Sequence, residues 1–164
     1  MITRGRRFLI ATIALVAAVL LFHERCADML ITRGDSALAA GEVPAARVLY
    51  QRALWFHPDT STASERLIFS DLEEASETSL REAMRVSEQA LRHDPNNIAI
   101  LTDRALCALR LGDDHTAEAA FYHAGNLTHD GKLLYLSALA AKRLGENVDI
   151  RMFESHHAGA GKRA

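Results

Sequence analysis

The side chains able to do chemistry are eight histidines, two cysteines and a few acidic pairs. His115 and His123 fall on one predicted helix, but eight residues of spacing put them two turns apart, so they are not a chelating pair. His156 and His157 are adjacent and point apart on a helix. Cys26 and Cys107 lie 81 residues apart and form no metal or redox motif. Two unrelated thiols and a bridge between them both stay open. Asp113-Asp114 and Glu73-Glu74 suit helix caps and solvated faces better than an acid–base pair. Neither a glycine-rich phosphate loop nor a nucleophile elbow nor a Cys-His signature occurs. Asn126-Leu127-Thr128 fits a glycosylation sequon but sits inside a predicted helix. The expectation is a non-enzymatic chain without cofactor or metal, and the histidines leave a small metal-binding protein as a further alternative.

The elements that position these residues are helical. The 164 residues are enough for one domain and a terminal extension. Nearly half are hydrophobic and 24% charged, which fits a folded protein. A net charge of −2 gives no case for nucleic acid. Beyond residue 22, Val and Ile are too sparse for a sheet, while Ala, Leu, Arg and Glu abound.

From Phe8 to Phe22 there are 15 residues without a charge, preceded by Arg4, Arg6 and Arg7 and stopped by His23, Glu24 and Arg25. As a helix this segment spans about 22 Å, short of a hydrocarbon core of about 30 Å. Snorkelling arginines and local thinning absorb the difference. A membrane anchor, a cleaved signal and a buried core helix compete. Arg25 stands where a signal cleaved after Ala27 would need a small residue, and a core helix would not explain the basic cluster. An uncleaved anchor is therefore expected, with the N-terminus cytoplasmic because the arginines before the segment outnumber Arg25 and Arg33 after it.

Downstream, periodicity and breakers predict helices over residues 24–39, then from Pro44 to the His57-Pro58 break, 64–77, 79–92, 98–111, 115–127, 132–144 and 147–155. The first of these and the apolar segment can form one continuous helix. Three sections follow: a basic flank and anchor over 1–25, a helical domain over 26–157 and a small, polar, disordered tail over 158–164.

A ladder recurs within the domain. Gly41, Ala46, Tyr50, Ala53, Leu54 and Pro58 match Gly112, Ala117, Phe121, Ala124, Gly125 and His129 in spacing. Ala83, Ala90, Leu91 and Pro95 repeat its second half. Seven places before Gly41, Gly112 and Gly145 stand Gly34, Ala105 and Ala138; eleven places before stand Leu30, Leu101 and Leu134. A helical hairpin recurring at about 34 residues resembles the tetratricopeptide repeat. The resemblance covers about residues 27–157 and implies an anchor followed by an all-α solenoid of three to four hairpins. Small residues at Gly34 and Ala46, or Ala105 and Ala117, would let paired helices approach, and Tyr50 or Phe121 would wedge against the next hairpin. Departures are plain. Leucines replace the family's tryptophan, Thr78-Ser79 replaces a glycine turn, and His129 replaces a proline. Pro95 lies 37 residues after Pro58, which places a three-residue insertion between Pro58 and Glu73. Ile150 and Glu154 mark the last pair as a cap.

The resemblance further implies a concave groove that binds partner proteins. Its matching positions are Ile31, Asp35 and Leu38, then Thr102, Leu106, Leu109 and Arg110, then Tyr135, Leu139 and Lys142. The family's carboxylate-clamp Lys-Asn pattern is absent at Ile31 and Asp35. The function so implied is a membrane-anchored scaffold or assembly factor, with the repeats in the periplasm of a bacterial envelope. A structural subunit of a larger membrane complex is the alternative.

Overall fold

A computed structural model describes residues 4–145, with side chains from residue 9 onward. Among the described residues there are seven α-helices and no strand: α1 Arg4–Ala39, α2 Val43–Phe56, α3 Ser61–Glu74, α4 Glu77–His93, α5 Ile98–Leu111, α6 Asp114–Thr128 and α7 Gly131–Arg143. The all-α expectation holds. The helix expected over 147–155, with Ile150, Glu154 and the histidines beyond it, and the tail 158–164 lie outside the described residues. Packing divides the chain into two compact units, one ending at Ala63 and one beginning at Ser64.

In the first unit, α1 is one unbroken helix of 36 residues. No proline interrupts it, so the apolar segment runs directly into the first repeat-like helix. Its most apolar window has a mean hydropathy of 1.8 and is wholly unburied. Such a helix is long and apolar enough to cross a membrane. Gly41 ends it in the left-handed region at φ 79°, with the Glu42 N–H donating to the Ala37 carbonyl at 2.9 Å. Pro44 lies in the first turn of α2. The helix then folds back along α1 and buries Ala46, Tyr50 and Ala53.

The crossing differs from the sequence expectation. A Cβ on Gly34 would lie 2.5 Å from Tyr50 Cε1. The phenol ring itself, rather than Ala46, takes the space that Gly34 leaves. Its hydroxyl donates to Asp35 Oδ1 at 2.8 Å. Tyr50 is thus seated within its own hairpin.

In the second unit, α3 buries Leu67, Ile68 and Leu72. Arg110 donates to the Leu72 carbonyl, and Asn97 Nδ2 donates to Glu65 Oε1 at 2.8 Å, tying α3 to α5. The next turn is not at Thr78-Ser79. It falls at Ala75, φ 54°, and Ser76, whose hydroxyl accepts from the Ser79 N–H at 3.1 Å. The expected insertion also moves. Both α3 and α5 begin three residues after a proline and are 14 residues long, as is α2, whereas α4 has 17. The three extra residues are therefore the first turn of α4, which an early serine cap nucleates.

α4 packs on α5, α5 on α6 and α6 on α7. Ala105, Ala120 and Phe121 form one core cluster, against which Leu109, Leu133 and Leu136 pack. Ala108, Ala117 and Ala140 form a second, with Met84 and Leu109. Phe121 therefore does reach the following helix. Gly125 passes close to α7, since a Cβ there would lie 3.0 Å from the Leu134 backbone nitrogen. α6 ends at His129 with φ 54°. Proline cannot adopt that angle, which accounts for the histidine where the repeat pattern would have placed one.

Two outcomes follow from this packing. Ala117→Leu inserts three carbons where α5, α6 and α7 converge, and Gly34→Leu collides with the fully buried Tyr50. We expect each to lower unfolding free energy by about 1–3 kcal/mol in denaturant titration. The second outcome concerns Asp103. Burial, reinforced by nearby Glu65, raises its carboxyl from 3.8 to about 6. The folded chain then holds a proton there that the unfolded chain has lost, so stability falls as pH rises across that window. Asp103→Asn should melt higher than wild type at pH 7, with the gap closing as the pH is lowered toward 4.

Candidate functional site

The groove positions divide between the two units. In the first, Ile31 is buried, Asp35 is engaged by Tyr50, and Leu38 is half-buried. These three contribute packing and a polar tie inside the α1–α2 hairpin. In the second, Thr102 turns its hydroxyl back to the Ile98 carbonyl at 2.8 Å. Leu106 is 39% exposed on α5. Leu109 is half-buried and packs on both core clusters. Arg110 is committed to α3 through the Leu72 carbonyl. Tyr135 and Leu139 on α7 are half-buried, and Lys142 is exposed.

Three of the expected residues come together. Leu109, Leu139 and Lys142 line a cavity of about 490 Å³ with Leu136, Ala140 and Arg143. Its apolar wall arises because Leu136, Leu139 and Ala140 fall three and four residues apart on one face of α7, opposite Leu109 of α5. Arg143 reaches Asp114 Oδ2 at 3.2 Å. Lys142 stands at the rim one turn after Leu139. Such a surface can take an apolar side chain and place a carboxylate beside Lys142. Leu136 and Arg143 were missed by the sequence reading. The signal for Leu136 was present in its spacing from Leu139 and Ala140.

The ladder residues sit as follows. Ala46, Ala53, Ala83, Ala105, Ala117, Phe121 and Ala124 are fully buried. Ala90 is half-buried, and Pro95 is exposed in the turn between α4 and α5. Gly112 terminates α5 at φ 76°.

Two of the titratable groups have structural work. Asp113 caps α6 by accepting from the Thr116 N–H at 3.1 Å and the Thr116 hydroxyl at 2.6 Å. Those bonds hold its carboxyl below the ordinary carboxylate value. Cys107 is fully buried, and burial with Asp103 and Asp71 nearby pushes its thiol up to about 12. At neutral pH it is a small apolar side chain, not a nucleophile. Both cysteines are free. His115 and His123 line a cavity of about 370 Å³ with Arg104, Thr116, Leu91 and Leu101. No group of three potential metal ligands occurs among the described residues.

No protein-family profile and no curated protein matches the sequence. Solved structures do. The TPR domain of Arabidopsis OM64 aligns over 77% of this chain and 99% of its own, with 20% identity and a TM-score of 0.64. MamA from AMB-1 aligns over 84% of this chain and 74% of its own, with 17% identity and a TM-score of 0.71. The C-terminal TPR-containing domain of a Plasmodium falciparum putative FK506-binding protein covers 75% of this chain and 91% of its own, with 17% identity and a TM-score of 0.63. At these identities the likeness is one of fold, and the fold of this chain is that of tetratricopeptide-repeat domains.

Proposed function

We propose that this chain is a membrane-anchored adaptor that binds partner proteins through the α5–α7 cavity. The carrying observation is the convergence of Leu109, Leu136 and Leu139 beneath the Lys142 rim, on a fold built of stacked hairpins. Among the residues lining the cavity there is no hydroxyl, thiol, imidazole or carboxylate, and Arg143 is paired with Asp114. The reading is therefore non-enzymatic. The occupant in this reading is a partner segment with one apolar anchor and a neighbouring acidic residue. Leu106, exposed on α5, and Tyr135 on α7 would extend the contact.

The unburied apolar length of α1 supports a membrane segment rather than a core helix, and Arg25 at the would-be cleavage site favours an uncleaved anchor. The arginines at positions 4, 6 and 7 support a cytoplasmic N-terminus, which would put the repeat domain across the membrane, in the periplasm of a bacterial envelope.

Leu139→Ser, Lys142→Glu and Leu106→Ala in the full-length protein should each weaken partner capture by about 1–2 kcal/mol while leaving the melting curve near that of wild type. A loss of folding stability of about 2–5 kcal/mol instead would show these residues to be core, and unaltered capture would exclude the cavity. The anchor is checked separately. The protein should stay in the membrane pellet through a carbonate wash with residues 1–22 intact by mass spectrometry. Cys26 should be labelled only from the face opposite the N-terminus.

A further inference from the structure

Trp55 is the single tryptophan of the chain and stands at the end of α2 with 78% of its surface exposed. It is not an isolated apolar residue on a polar surface. Its ring meets Phe56 edge-on at 4.9 Å between centroids. Phe56 lies 6.0 Å from His23, and His23 lies 6.4 Å from Phe22. Phe22 is itself 63% exposed and is the last residue of the apolar stretch of α1. The hairpin therefore carries the end of α2 back to the level at which α1 changes from apolar to charged. A row of four rings continues the apolar surface of α1 sideways onto α2.

We infer that the Trp55–Phe56 end of α2 is a second membrane contact, inserted in the headgroup layer of the bilayer that α1 crosses. The inference rests on the anchor reading above. An indole has a large apolar body and one N–H donor, which suits a layer that is apolar on one side and wet on the other. An apolar patch of this extent marks a contact surface, whereas scattered exposed side chains do not. Continuity with the apolar stretch identifies what covers it. That stretch spans about 22 Å against a hydrocarbon core of about 30 Å. A short span draws its flanking residues toward the interface, and His23 brings Phe56 and Trp55 with it. The exposed charges at this level are mixed, with Glu24 and Arg25 on α1 and Arg52 one turn before Trp55. A zwitterionic surface thus suffices, and no anionic lipid is needed. Anchored at two points, the α1–α2 hairpin has a fixed roll about the α1 axis.

Because Trp55 is the only indole, its fluorescence reports this contact without mutation. The full-length protein is reconstituted into phosphatidylcholine vesicles, floated, and read for emission maximum, iodide quenching, and quenching by lipids spin-labelled near the headgroup or near the acyl terminus. We expect flotation, blue-shifted emission and protection from iodide, with quenching about twofold stronger from the shallow label than from the deep one, as for an interfacial indole. Trp55→Phe should abolish the signal and leave flotation intact. Flotation with water-like emission and full iodide access overturns the contact and leaves the anchor standing. Protection from iodide without quenching by either label, accompanied by chemical cross-linking into dimers, means a second copy covers the rings and also overturns it. Failure to float overturns the anchor and this contact together.

Discussion

The approach of helix backbones through small side chains is the constraint on which the second unit depends. Ala108, Ala117 and Ala140 meet with almost no exposed surface. Any larger side chain there holds the helices apart, and Leu109 and Met84 then lose the cluster against which they pack. Because α4 packs on α5, α5 on α6 and α6 on α7, one crossing fixes the position of the next. Phe121 is the complementary piece, a large ring filling the space between Ala105 and α7. The first unit solves the same problem by different means. Gly34 yields its side-chain volume to Tyr50, and the buried hydroxyl is satisfied by Asp35 rather than left bare.

Close packing also sets the work of many polar residues. A stack of short helices has many ends, and each end exposes N–H and carbonyl groups that need partners. Ser76, Asn97, Asp113 and Asp130 each accept from an N–H in the first turn of the helix that follows. His129 supplies a left-handed turn. Between α3 and α5, burial and then the neighbouring Glu65 raise the cost of ionising Asp103. That is a stability feature, tied to burial beside Glu65.

α1 joins two environments in one rod. The same helix that exposes Leu20, Leu21 and Phe22 buries Ala27, Leu30 and Ile31 a few turns later. A continuous helix has no hinge, so whatever orients its apolar half orients the α1–α2 hairpin as well. The fold likeness to the TPR domain of OM64 and to MamA concerns the stacked helices.

Much was legible in the sequence because it is local. Helix type, the glycine turns at Gly41 and Gly112 and the proline break at Pro95 depend on neighbours within a turn or two, and the recurrence at about 34 residues is the repetition of those local signals along the chain. α5 falls on the residues that periodicity predicts. The unexpected features depend on residues far apart in the chain or on competition between nearby caps. Ser76 outcompetes Thr78-Ser79 as the start of α4, since its hydroxyl serves the Ser79 N–H once the helix begins there. Tyr50 turns inward because Gly34, 16 residues earlier, leaves room. Leu136 joins Leu109 only when α7 is laid against α5, and Trp55 reaches the level of Phe22 only when α2 folds back along α1. The sequence by itself determined where the helices lie and how they recur, because hydrogen bonding and capping act within a few residues. Tertiary structure decided which faces meet and which stay bare, because side-chain volume is tested only when two helices are brought together.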